Sequence, residues 1–279
     1  MLWKTAEGEE LYYEVSGYGP PLLLIHGLGG SGRDWGLQLP ALRQHFRTIT
    51  IDLRGHGRSS RPACGYTIPG FAADTADFMT SLGFFPAQVM GISLGGMVAL
   101  QMAVDFPEVV AGLVIVNSAP ELPRGSWRQR WELGQRLLLT RLFGMERTAK
   151  VLARRLFPKE GQEPLRRGFE KRWSANDPRI YLQTLKGMSG WSLVDRLSAI
   201  AVPTLILAGR EDFIPLEVKK SCAREIPGAR LEIVEDSGHA TPADQAEIFN
   251  RVVVGFLTGA SLPPFDKKME PPKTVPQKV

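Results

Sequence analysis

The chain has 279 residues, of which 43% are apolar and 23% charged, and a formal net charge of +5 at pH 7. A chain of this size buries a core without a disulfide or metal staple. The charge is too mild to argue for a nucleic-acid partner, and no basic stretch alternates with aromatics in a nucleic-acid-binding pattern. Cys64 and Cys222 make no disulfide framework and read as free thiols of a reducing compartment. The first ten residues lack an apolar leader core, and no apolar run reaches the roughly 18–20 residues needed to span a bilayer. The expectation is a cytoplasmic protein with no membrane span; its oligomeric state is not legible.

The aromatic and β-branched run Leu11–Val15 predicts a strand, and Gly17, Gly19, Pro20 and Pro21 then break the chain. Leu22–Ile25 is continuously apolar, as expected of a strand buried on both faces. A Gly-rich loop, His26–Gly32, leads to Asp34, a cap for a helix expected over Trp35–Gln44. Further strands are expected at Phe46–Leu53, Gln88–Ile92, Val114–Asn117, Pro203–Ala208 and Leu231–Val234. Helices are expected at Ile68–Leu82, Leu94–Val104, Leu216–Ile226 and Gln245–Leu257. This alternation implies a parallel sheet covered on both faces, with ligands beyond the carboxyl ends of the strands. The stretch from Ala119 to Ile200 has no strong strand signal and reads as a helical insertion laid over those ends. Four parts follow: a first core segment over 1–120, a helical cap over 121–198, a second core segment over 199–259, and a Pro/Lys-rich disordered tail over 260–279.

Gly91-Ile92-Ser93-Leu94-Gly95 fits G-x-S-x-G between an expected strand and an expected helix. As a bare string the pattern is weak in a chain with 29 glycines; its position between strand and helix is what raises it. Such a turn lifts the serine hydroxyl above the sheet, and a side chain at Gly91 or Gly95 would collide with the neighbouring backbone. Ser93 is therefore the candidate nucleophile. Of the four histidines, His45 reads as a surface residue, and His26 and His56 as packed loop residues. His239 follows the last strand at the end of the sheet that holds Ser93, which suits a general base. Asp212, after the strand that ends at Ala208, is the candidate for orienting that base. Glu211 and Asp236 are its rivals, and Asn117, ending the preceding strand, is no carboxylate. The order Ser, Asp, His is the one expected for this turn type. Backbone N–H groups of Leu28 and Leu94 are the candidates for an oxyanion hole.

Together, His26–Gly30, Asp52–Ser59, the turn around Ser93, Asp212 and His239 resemble the α/β-hydrolase fold family, in its serine-nucleophile branch. The resemblance runs from about residue 10 to 258. It implies an α/β fold: an eight-stranded, mostly parallel sheet flanked by helices, with a helical cap inserted after the sixth strand. Dehalogenases and epoxide hydrolases of the family carry an aspartate where Ser93 stands, and carbon–carbon bond hydrolases typically carry Asn where Ile92 stands. The pattern looks closest to small carboxylesterases and enol-lactonases. The expected activity is hydrolysis of carboxylic esters of small to medium acyl chains, through an acyl-enzyme and with no cofactor or metal. The alternatives are an enol-lactone or C–C bond hydrolase with the same triad, and a ligand-binding receptor with little turnover. The expected partner is a small-molecule ester or lactone. Over Glu121–Ser198, 17 Lys or Arg stand against 8 Asp or Glu, so the cap is a solvated basic surface or one that attracts anionic substrates. Trp127, Trp131, Trp173 and Trp191 are expected to pack the cap, with one or two lining an acyl pocket.

Overall fold

The structure, a computed structural model, describes residues 1–122 and 127–260, with the side chains of 127–133 outside the description. Eight strands form one sheet: β1 (Leu2–Lys4), β2 (Glu10–Ser16), β3 (Pro21–Ile25), β4 (Arg47–Ile51), β5 (Ala87–Ile92), β6 (Val110–Val116), β7 (Thr204–Gly209) and β8 (Arg230–Val234), in the order β1-β2-β4-β3-β5-β6-β7-β8. β2 runs antiparallel to β1 and to β4, and the pairs from β4 to β8 are parallel. Seven strands were legible as apolar or β-branched runs. The eighth is β1, a three-residue edge strand too short to give a periodic signal.

Alternation along the strands divides the core in two. Leu23, Ile25, Ile49, Val89 and Ile115 enter one buried cluster, while Leu22, Leu24, Met90, Val114 and Leu207 enter another. Successive strand side chains point to opposite faces, so both faces must be covered. The covering helices are α1 (Leu39–Leu42), α2 (Ile68–Ser81), α3 (Leu94–Asp105), α7 (Leu216–Glu225), α8 (Thr241–Asp244) and α9 (Ala246–Thr258). Three more, α4 (Trp127–Leu156), α5 (Glu163–Ser174) and α6 (Pro178–Met188), lie between β6 and β7, the place expected for the insertion. α4 is kinked at Gly144, whose φ of 70° is left-handed.

One expected helix is corrected. The span Trp35–Gln44 is not continuous; a 3-10 turn at Gly32–Trp35 and the single turn α1 replace it. Pro40 has no N–H to donate to the carbonyl of Gly36, four residues back, which interrupts the run, and it sits instead in the first turn of α1 where that donor is not needed. Asp34 does act at a helix start, though not as the capping residue: its carboxylate accepts from the N–H of Ser31 at 3.1 Å. The expected tail, from 261 onward, lies outside the described residues. Among the described residues no helix is long and apolar enough to cross a membrane.

Topology fixes where a site forms. β3 lies between β4 and β5, so the chain leaves β3 towards one side of the sheet and later returns to the other. Loops after β3 and β5 diverge at such a switch point and leave a crevice beyond the strand ends.

Candidate active site

Ser93 sits between β5 and α3 with φ 54° and ψ −116°, a conformation a non-glycine residue holds only under strain. The surrounding bonds fix it there. Its N–H donates to the Val116 carbonyl at 2.9 Å, and its own carbonyl accepts from Gly96 N–H at 3.0 Å and from the Ser118 hydroxyl at 2.6 Å. Both flanking glycines are obligatory on space alone. A Cβ at Gly91 would stand 2.1 Å from the Gly95 carbonyl oxygen, and one at Gly95 would stand 2.2 Å from that of Ile25. α3 begins directly after Ser93, so its N-terminal dipole points at the turn. Among the described residues nothing accepts from the backbone N–H of Leu28 or of Leu94.

Asp212 and His239 come from loops after β7 and β8. The Nδ1 of His239 is 2.7 Å from Oδ1 of Asp212, and Phe213 stacks on the imidazole with ring centroids 4.1 Å apart. Glu211 and Asp236, the rival carboxylates, instead face Lys159 at 3.6 and 2.5 Å. The remaining histidines lie elsewhere: His45 is exposed, and His26 accepts the N–H of Leu53 through Nε2 at 3.0 Å. His56 is buried against His26 and Phe71, and burial pushes its imidazole down to about 3, so it stays neutral.

Two residues central to this geometry were not identified from sequence. Asn117, buried with φ 43°, joins the two loops. Its Nδ2 donates to the carbonyls of His239 at 2.8 Å and Gly238 at 3.1 Å and to Thr241 Oγ1 at 2.7 Å, and its Oδ1 accepts the Gly209 N–H at 2.7 Å. Its signal in the sequence is a lone amide closing an apolar strand. Lys219, on α7, has a side chain with no solvent exposure, and its Nζ donates to Asp212 Oδ2 and, at 3.1 Å, to the Ile214 carbonyl. Burial alone would raise the Asp212 carboxyl, but His239 and Lys219 outweigh it and hold the group below the ordinary carboxylate value. Lys219 had no legible signal, because Lys219-Lys220 reads as the polar face of a surface helix.

Ser93 and His239 line one cavity of about 350 Å³ beneath the inserted helices. Its walls are mainly apolar, with Leu28, Phe157, Phe169, Trp173, Leu185 and Met188 among them. Trp173 is thus one of the expected pocket tryptophans. Trp191 instead donates its indole N–H to Gln101 at 2.6 Å, and the side chains of Trp127 and Trp131 lie outside the description. The insertion is tied to the core by Arg172 with Asp34 at 2.9 Å, by Asn176 donating to the Gly29 carbonyl at 2.8 Å, and by Lys159 donating to the Asp236 carbonyl at 2.6 Å. No group of three or more His, Cys, Asp or Glu suited to a metal ion occurs among the described residues.

Residues 20–245 match the family described as alpha/beta hydrolase fold, and the chain belongs to it. Known relatives sharpen the comparison. "Putative carbamate hydrolase RutD" of Serratia proteamaculans (strain 568) is 31% identical over 265 residues, covering 88% of this chain and 96% of that protein. Two solved structures are similar over nearly their whole length. The esterase EaEST from Exiguobacterium antarcticum aligns with TM-score 0.86 and 26% identity, covering 92% of this chain and 98% of its own. The enol-lactonase from Burkholderia xenovorans LB400 aligns with TM-score 0.83 and 27% identity, covering 90% and 97%.

Proposed function

We propose that this hydrolase-family protein cleaves carboxylic esters of small to medium acyl chains, using Ser93, His239 and Asp212 as a catalytic triad. One observation carries the reading: the imidazole bonded to Asp212 at 2.7 Å and the strained serine open into the same apolar cavity. With Nδ1 engaged by the carboxylate, Nε2 is the nitrogen that takes the serine proton. Ser93 Oγ then adds to the substrate carbonyl. The developing oxyanion is held by the N–H groups of Leu28 and Leu94, and each such donor is typically worth about 10²–10³ in turnover. Collapse of the tetrahedral intermediate breaks the C–O bond; His239 returns the proton to the alcohol, and an acyl-Ser93 ester remains. Water, deprotonated by His239, releases the acid and restores the serine. No cofactor enters the sequence.

The cavity supports an apolar acyl group. Of the cations on its wall, Arg172 pairs with Asp34, while Arg136 donates to the neutral Tyr181 hydroxyl and keeps its charge. A second reading keeps the triad and changes the bond, because relatives are named an enol-lactonase and a carbamate hydrolase. The test is a panel of p-nitrophenyl esters from acetate to octanoate, with lactones, vinylogous diketones and carbamates, run beside Ser93→Ala. The expected result is ester cleavage that falls by several orders of magnitude in the variant. Undiminished cleavage by Ser93→Ala refutes the mechanism, and ligand-dependent melting without turnover points to a receptor instead.

A further inference from the structure

Lys219 is a buried cation with little to hold it. Its ammonium has no solvent exposure, and the groups it meets are Asp212 and the carbonyl of Ile214. Lys220, its neighbour on α7, is solvent-facing and pairs with Glu217 at 2.7 Å, so helical periodicity and not composition selects which lysine turns inward. Taking an ammonium out of water is costly, and here the cost is offset by the buried carboxylate it meets. What the lysine supplies that an apolar residue cannot is a positive charge on the far oxygen of the carboxylate that orients His239. With Oδ1 accepting from His239 Nδ1 at 2.7 Å and from Ile214 N–H at 3.1 Å, the carboxylate is bonded on both oxygens.

We propose that Lys219 is a positioning residue that acts through Asp212: its ammonium fixes the carboxylate and offsets part of its pull on the imidazolium formed at His239. The proposal rests on the serine-hydrolase reading above. A bare buried carboxylate would favour a resting imidazolium, which cannot accept the Ser93 proton; a neutralised one favours the free base.

Other charged groups near the trio are accounted for. On α7, burial pushes the Cys222 thiol up to about 12, so it carries no charge. From α4, Arg155 lies over the Phe213 ring at 5.0 Å, on the cavity side. On α8, Asp244 accepts from the Ser237 hydroxyl and from the Gly238 N–H at 2.9 Å each, and in the loop before His239 Asp236 faces Lys159. In the turn Val194–Ala199, which packs on α7, Arg196 pairs with Asp105 at 2.8 Å, and Asp195 is exposed. Lys219 is the cation bonded directly to the carboxylate that orients His239.

The experiment compares wild type with Lys219→Met, which removes charge and donor, and Lys219→Gln, which keeps a donor and removes the charge. The rate of Ser93 labelling by a fluorophosphonate is followed from pH 4.5 to 9, with p-nitrophenyl butyrate hydrolysis alongside. Both variants should move the acidic limb to higher pH by about two to three units, the order expected for one charge roughly 4–6 Å away at an effective permittivity of about 20. Superimposable limbs overturn the proposal, as does a Lys219→Gln protein that keeps both rate and limb, since a hydrogen bond alone then suffices. In wild type, the Nζ resonance of Lys219 should report a charged ammonium at pH 7; a neutral amine overturns the proposal without any variant. Labelling that persists in Ser93→Ala instead refutes the triad, a failure distinct from these.

Discussion

Asn117 offers the sharpest quantitative test, because four hydrogen bonds through one side chain tie the Asp212 loop to the His239 loop. In Asn117→Ala, Thr241 Oγ1 still bonds the Ser237 hydroxyl, and the Gly238 carbonyl still accepts from Thr241 at 3.0 Å. The groups left orphaned are the Gly209 N–H and the His239 carbonyl. At about 1–3 kcal/mol for each buried unpaired group the loss is about 4 kcal/mol, and a further ~1 kcal/mol comes from placing alanine at positive φ. Asn117→Asp is nearly isosteric yet behaves differently. One carboxylate oxygen keeps the Gly209 bond, while the other meets carbonyl oxygens where the amide stood, at 2.8 and 3.1 Å from Nδ2. Protonation relieves that repulsion and restores a donor, so the folded-state pKa of the new carboxyl lies above its unfolded value. Its stability contribution is then fully present below the unfolded value, about 3.9, and is lost as pH rises through the folded one. Thermal and urea unfolding of the three proteins from pH 4 to 8 measure this. The gap between Asn117→Asp and wild type should be small near pH 4 and reach about 3–4 kcal/mol at pH 7, roughly a 10 °C fall in Tm. The Asn117→Ala gap should stay nearly constant. Loosening of both loops should also lower turnover by at least about tenfold. An Asn117→Asp protein as stable as wild type at pH 7, or a gap that ignores pH, would refute the bridging argument.

Gly95→Ala should fail to accumulate as folded protein, or should lose more than about 3 kcal/mol in urea titration, because the clash is with the backbone of β3 and not with a side chain that can move. Ser93→Gly should abolish ester cleavage while unfolding at a temperature no lower than wild type, since relief of positive φ contributes on the order of 1 kcal/mol; a marked drop in Tm argues that the turn is unstrained. His56 is neutral when folded and depressed to about 3, so its contribution is present above the ordinary histidine value of 6.5 and lost as pH falls from there towards 3. This one group should remove roughly 2–3 kcal/mol of stability between pH 6.5 and 4.5, and the acid limb of the stability curve should be shallower in His56→Phe; identical limbs would exclude the histidine as their cause.

Local chemistry wrote much of this molecule into its sequence. Buried parallel strands need continuous apolar runs, so β3, β5 and β7 were readable. The turn at Ser93 needs glycine on both sides, so Gly91 and Gly95 stood out. Asp212 and His239 each follow an apolar strand at the sheet end that holds the serine, which made them the best candidates of their type. What sequence resolved poorly was set by weak or competing local preferences: β1 has three residues, and Pro40 divides what reads as one helix.

Contacts made across the fold were decided by tertiary structure alone. Asn117 reads as a polar residue ending a strand; only the approach of the β7 and β8 loops gives it four partners. Lys219 and Lys220 are chemically identical neighbours on one helix. One pairs with Glu217 in solvent and the other reaches Asp212 with no exposure, because packing of α7 against the sheet sets which direction points inward. A sequence specifies the residues that can occupy a turn or strand through their own conformational preferences. The partner of a buried charge is fixed by the distance between elements remote in the chain, and that distance exists only once the chain has folded.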